Sequence, residues 1–165
     1  MGSELIERGP EGGSTVLVGR DGDYVNTRAS SAETGGAYTV FEVTSTPGFG
    51  PPLHSHPWHE FFYVLEGRYE FSYLKDGEVR RVEAIPGTSF TIPPGAPHGF
   101  RNALERPSRM LVFDQPVGIE RLFIAHGVPV AAPGALPETE PLDPSKLGEL
   151  LPRYGVTIEA TAGDI

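Results

Sequence analysis

Three histidines and one glutamate hold most of the chemistry this chain can do. They fall in two stretches, Gly48 to Gly67 (GFGPPLHSHPWHEFFYVLEG) and Gly87 to Asn102 (GTSFTIPPGAPHGFRN), which contain four of the protein's five histidines. His54 and His56 stand two apart, so on an extended strand both side chains leave by one face and Ser55 by the other. Glu60 follows at an even offset, although Pro57 disturbs the strand between them. These side chains can meet at a point but leave a coordination sphere incomplete. His98 is far along the chain and must arrive on a different strand. Three imidazoles and one carboxylate suit one divalent transition ion, Fe, Ni, Co, Mn or Zn, whereas imidazole is the wrong donor for Ca²⁺ or Mg²⁺. On an octahedral ion they leave room for water, dioxygen or substrate, and an open position marks a catalytic site.

The elements that must carry these residues read as short strands. The 165 residues include 21 glycines and 17 prolines, which cut the chain into the pieces a many-stranded barrel needs. Residues 37–45, 59–66 and 68–74 are rich in aromatic and β-branched side chains. In the last, Tyr69, Phe71 and Tyr73 alternate with Glu70 and Ser72, as on a half-buried strand. Asp76-Gly77 makes a tight hairpin turn, and Glu78 to Glu83 returns antiparallel. Further strands are expected at 88–92, 98–103 and 109–115. Gly67, Gly87 and Gly95 read as turn residues with positive φ, and Pro93-Pro94 fix the last of these turns.

Two short helices follow. One spans Gly118 to His126, with Ile119, Leu122 and Phe123 on one face and Gly127 as its stop. The other takes Asp143 as N-cap and Pro144 as its first residue, and ends before Gly155. Residues 128–142 between them read as a connector over the barrel surface. By strand parity Phe100 shares His98's inward face, and Phe62 and Val64 share that of Glu60, so these three are candidate pocket walls. His59 has odd parity and should point away. His126 suits a helix C-terminus and needs no metal to explain it.

The two stretches resemble the two signatures of the cupin superfamily. Gly48, His54, His56, Glu60 and Gly67 match the first at every required position, and Gly87, Pro93, Gly95, His98 and Asn102 match the second. The nineteen residues between Gly67 and Gly87 are close to the short spacer of microbial cupins. ETGGAYTVFEV before the first block and DPSKLGELLPRYGVTIE at the end are similar to single-domain bacterial quercetin dioxygenase-like cupins. The resemblance implies an all-β fold, an antiparallel β-barrel or jelly roll with one or two short C-terminal helices. It implies a barrel over residues 31–127, with residues 1–30 adding a strand to the barrel or to a dimer, and a linker and helix over 128–165 packed on it. It also implies a homodimer, a small-molecule substrate and use of dioxygen. In such enzymes the substrate's enol or phenol oxygen meets the metal as its anion, and Glu60 matches the acid that takes the proton. Asn102, though part of the signature, reads as a residue that holds backbone near the barrel rim.

A cupin fold does not fix an activity. Three alternatives stand beside a quercetinase-type dioxygenase acting on a flavonol-like, enolisable aromatic. One is a metal-dependent decarboxylase, lyase, cyclase or isomerase. Another is a small-molecule-binding module without catalysis, and the third is a structural or regulatory cupin. Composition narrows the partners. A net charge of −9 argues against nucleic acid, whose phosphates need a basic surface. The absence of cysteine excludes disulfides, zinc ribbons and thiol catalysis, and fits a reducing cytoplasm. MGSELIERGPEGG carries acidic residues and no apolar core, so it does not read as a secretory signal, and no apolar run is long enough to span a bilayer.

Overall fold

Alternation of apolar and polar residues does what it promises in the middle of the chain. In the computed structural model, which describes residues 4–19, 22–132, 134–135, 137 and 144–159, Thr39–Ser45 (β3) buries every second residue, as does Ser108–Gln115 (β10). His59–Glu66 (β5) buries Glu60, Phe62 and Val64. The remaining strands are Ser14–Leu17 (β1), Tyr24–Ala29 (β2), His54–Ser55 (β4), Tyr69–Lys75 (β6), Glu78–Ala84 (β7), Ser89–Ile92 (β8), His98–Asn102 (β9), Val128–Val130 (β11) and Thr157–Ile158 (β12). All pair antiparallel, in two sheets. One runs β11-β1-β2-β3-β10-β5-β8 and the other β12-β4-β9-β6-β7. This is the all-β jelly-roll arrangement the sequence implies.

The two sheets share one core. Phe41, Phe62, Val64, Met110 and Val112 come from the larger sheet, and Tyr69 and Phe71 from the smaller. Phe62 meets Phe71 and Phe100 edge-on, with ring centroids 5.1 and 5.6 Å apart. Such contacts add a modest directional term to apolar burial. The β6–β7 hairpin closes as expected on Asp76 (φ 54°) and Gly77 (φ 77°), with Lys75 opposite Glu78. Positive φ at both central residues gives the strands a turn that matches their twist.

The ends of the chain hold what periodicity did not reveal. β1 and β2 extend the larger sheet, with Thr27 opposite Phe41. Ser31–Thr34 forms a single helical turn, α1, capped by a reciprocal Ser30–Glu33 box and closed by Gly35 at φ 63°. Val128–Val130, inside the stretch read as a connector, is a strand on β1. Helix α2 covers Glu120–His126, two residues shorter at its start than expected. Gly127 ends it in an extended conformation (φ −68°), not a left-handed one. A Cβ there would lie 2.5 Å from the Phe123 carbonyl oxygen, so close approach is what calls for glycine. Helix α3 runs Pro144–Leu150; its expected N-cap, Asp143, lies outside the described residues. It gives way to a 3-10 turn at Leu151–Tyr154, because Pro152 has no N–H to continue the α ladder. Gly155, at φ 82°, then ends it. His126 Nε2 lies 2.9 Å from the Tyr154 hydroxyl, which ties α2 to that turn. No helix among the described residues is long and apolar enough to cross a membrane.

Glycine positions separate steric from conformational cost. At Gly67 (φ 82°) a Cβ would come within 2.6 Å of Ser108 Cβ, whereas at Gly77 (φ 77°) it would meet nothing within 4 Å. Gly67→Ala should therefore lower unfolding free energy by more than about 2 kcal/mol, and Gly77→Ala by about 1 kcal/mol. Chemical denaturation of the two variants checks the difference.

Candidate metal centre

The second sheet brings the distant ligands together. The loop from Gly48 to Pro52 runs beside β9. Gly48 N–H donates to Asn102 O (3.0 Å), and Asn102 N–H donates to Phe49 O (2.9 Å). At Gly99 a Cβ would sit 2.9 Å from Pro52 backbone, so this approach requires glycine. The loop delivers β4, where His54 stands directly opposite His98. The Pro93-Pro94-Gly95 turn docks on the same strand end, with Gly95 N–H donating to His56 O at 2.8 Å. Glu60 comes from the other sheet, on β5. His54, His56, Glu60 and His98 are all buried, and one ligand atom from each lies within 4.8 Å of the others.

Each imidazole is oriented by the backbone. The Nδ1 atoms of His54, His56 and His98 lie 2.9, 3.1 and 2.9 Å from the carbonyl oxygens of Pro52, Trp58 and Ala96. A carbonyl can only accept, so each Nδ1 donates, which leaves Nε2 as the atom each ring turns to the site. His56 Nε2 and His98 Nε2 both lie 2.9 Å from Glu60 Oε2. Three ring nitrogens and a carboxylate oxygen thus converge on one small volume, where a proton on Nε2 or one metal ion among the groups can meet the carboxylate's charge. These four residues could hold one metal ion, and the donor set fits a transition ion.

Burial and neighbours set the charges. Desolvation, reinforced by His98, lowers the His54 pKa to about 4, which favours the neutral ligand form. Burial alone would raise Glu60, but its contacts with His56 and His98 outweigh that and hold it at about 2. Asp114 lies directly opposite Glu60 on β10. Burial, and then the charge of Glu60, push its carboxyl well above the usual range.

Above this cluster lies a cavity of about 670 Å³. His54, His56, Glu60, Phe62 and Phe100 line it at the metal end. Val64 is fully buried in the core and does not reach that wall. His59, on the opposite face of β5, is exposed. Asn102 uses its whole amide: Nδ2 donates to Ser45 O and Arg106 O, while Oδ1 accepts from Leu104 N–H and the Ser108 hydroxyl, all at 2.8–3.0 Å. It anchors backbone at the rim, in keeping with its sequence reading.

The sequence reading passed over three parts of the site. Trp58 stacks flat on His56, with centroids 4.1 Å and planes 4° apart, and lines the cavity. The Trp-His pair stood in the first stretch, but only coordinates show the stack. Asp114 was detectable by parity, since Ser108, Met110, Val112 and Asp114 share a buried face. Its Oδ1 and Trp58 Nε1 are buried without a hydrogen bond of ordinary geometry, and the packing around both leaves no room for a side chain at Gly118. Leu151, Val156 and Ile158, from the C-terminal segment, close one side of the cavity.

Two facing antiparallel sheets with a three-histidine, one-carboxylate cluster on the inner wall define a small-barrel protein with a candidate metal site. Residues 41–114 match the family model described as a cupin domain. No curated protein sequence matches the chain. Among solved structures, a tryptophan-to-phenylalanine variant of the oxalate decarboxylase of B. subtilis is similar over 62% of this chain and 27% of its own, with a TM-score of 0.53 and 20% identity. The oxalate decarboxylase–formate complex of Lactobacillus farciminis is similar over 59% of this chain and 30% of its own (TM-score 0.50, 24% identity). At these identities the likeness shows the fold alone. The DMSP lyase DddQ of Ruegeria pomeroyi DSS-3 shares 30% identity over 48% of this chain and 39% of its own, with a TM-score of 0.41. This chain therefore spans less than two fifths of each of these three structures.

The pH dependence of stability follows from His54. Its folded pKa of about 4 is below the ordinary 6.5, so the unfolded chain binds the proton more readily. Stability is full above pH 6.5 and falls as pH drops from about 6.5 to about 4. Thermal melts of metal-free protein between pH 7 and 5 should show this fall, and His54→Gln should flatten it.

Proposed function

We propose that this protein is a metal-dependent dioxygenase of the quercetinase type, acting on a small enolisable aromatic. In this reading His54, His56, Glu60 and His98 hold one divalent transition ion, Fe, Ni, Mn, Co or Zn, and Glu60 doubles as the base. The observation that carries it is the convergence of ring nitrogens and one carboxylate at the end of an aromatic-lined cavity. When bound, the ion supplies Lewis acidity toward a substrate oxygen and, if redox-active, a path for electrons to dioxygen.

The chain's own residues do the rest. Among the described residues Glu60 is the only carboxylate that lines the cavity, and it is the acceptor for an enol or phenol proton released there. Backbone carbonyls hold the Nδ1 protons, so each ring offers its Nε2 to an ion at the site. Phe62 and Phe100 offer aromatic faces to a planar ring and keep water from its edges. Tyr63 and Leu65, 41% and 38% exposed on β5, support a homodimer built on the outer face of that sheet. The cysteine-free chain is consistent with a cytoplasmic setting.

Protein purified without chelator or nickel resin should carry near-stoichiometric Fe, Ni, Co or Mn by plasma mass spectrometry, and His54→Ala should lose it. Stoichiometric zinc, or turnover that persists without dioxygen, would move the reading to lyase or isomerase chemistry. Glu60→Gln should cut kcat on flavonols by about 10²–10⁴ while reducing metal content far less. Equal loss of both would make Glu60 a ligand alone.

A further inference from the structure

The cavity is charged at one end only. His54, His56 and Glu60 stand at the metal end, and no lysine, arginine or aspartate lines it among the described residues. Much of the remaining wall is apolar, with Val18, Val25, Phe41, Val43, Leu122 and Phe123 among its residues. On the strands that flank the site, Arg101 donates to Glu70 on the surface, and Arg109 bridges Glu42 and Glu66 on the outer face of the larger sheet. Among the described residues, the C-terminal segment gives the cavity wall the apolar side chains of Leu151, Val156 and Ile158.

The charge count is short. A divalent ion beside the Glu60 carboxylate leaves one net positive charge, which a single substrate oxyanion neutralises. A second anionic group would have to lie against the apolar end with no counter-ion, and an unpaired buried charge is strongly disfavoured. Size points the same way. About 670 Å³ falls within the range of sites that enclose a drug-sized molecule. A two-carbon dicarboxylate would leave most of that space filled with water against valine and phenylalanine.

We propose that the cavity selects a bulky, otherwise neutral molecule that presents one ionisable oxygen to the metal end, and that it rejects analogues carrying a further carboxylate. This rests on the metal-site reading above but not on the use of dioxygen. The selectivity comes from the missing cation, so supplying one should undo it. Leu151 is a suitable carrier, because it lines the cavity from the 3-10 turn and not from the barrel core.

The test compares 3-hydroxyflavone with its 4′-carboxylate in protein loaded with Ni²⁺, under anaerobic conditions. Binding is read by calorimetry and by quenching of Trp58, the single tryptophan and itself part of the cavity wall. The neutral flavonol should bind at least tenfold tighter, and Leu151→Arg should bring the two within about threefold. Ile158→Lys, at a 40% exposed cavity residue on β12, serves as the second carrier if Leu151→Arg lowers the melting temperature. Affinities within threefold in the unaltered protein, binding of neither probe, or a gap unmoved in a folded cationic variant would overturn the proposal. A tenfold preference without flavonol oxidation in air would sink the dioxygenase reading and leave this one standing. Oxidation without the preference would do the reverse.

Discussion

The site depends on which nitrogen of each histidine is allowed to face inward. Pro52, Trp58 and Ala96 each place a carbonyl against an Nδ1, two residues from the histidine it serves. The contact is local, so it needs only the right backbone at each strand end. That backbone is supplied by proline-rich turns and by glycines that let two main chains touch. With each Nδ1 engaged there, the Nε2 atoms turn to the point that Glu60 also reaches, where ring protons or one metal ion can supply the positive charge. The barrel's contribution is to bring Glu60 from the opposite sheet and to keep water away from the assembled group.

Burial works against and for this arrangement at once. Removing the four ligands from water penalises every charged form, which keeps His54 neutral and ready to coordinate. The same penalty would neutralise Glu60 if its oxygen were not met by two imidazoles. It bears hardest on Asp114, which has Glu60's charge beside it. Adjacent acids on neighbouring strands thus take different protonation tendencies from one environment, a separation that follows from which of them the histidines face.

How much of this was legible in the sequence varied with the range of the interaction. His54 and His56 could be grouped by their spacing, whereas Glu60, expected at an even offset along the same extended stretch, reaches the group from β5 in the other sheet. The β6–β7 hairpin was legible because Asp76-Gly77 states its own turn. The capping box from Ser30 to Glu33 was equally local, but its helix is one turn long, too short for a periodic pattern to mark it. β11 and β12 span three and two residues and owe their existence to the strands they meet, so no pattern within them could announce a strand. Val64 shares parity with Phe62 yet lies too deep to reach the cavity, since parity gives a face and not a depth. The C-terminal part of the wall was out of reach for the same reason: it depends on where Leu151 and Ile158 return after a long excursion.

The division of labour along the chain has a further meaning. The four candidate ligands come from the two blocks near its centre, which also give the cavity Trp58, Phe62 and Phe100, while Val18 follows β1, Val25 lies on β2, and Leu122, Phe123, Leu151 and Val156 come from the last third. The candidate ligands are thus confined to the central blocks, whereas the cavity wall is drawn from the whole chain. Drift at either end can remodel what the cavity accepts without disturbing a single ligand, and the central blocks can be inherited intact by proteins whose guests have nothing in common. A graft of the two central blocks into another scaffold would carry over the candidate ligands with their aromatic neighbours and leave the terminal parts of the wall behind.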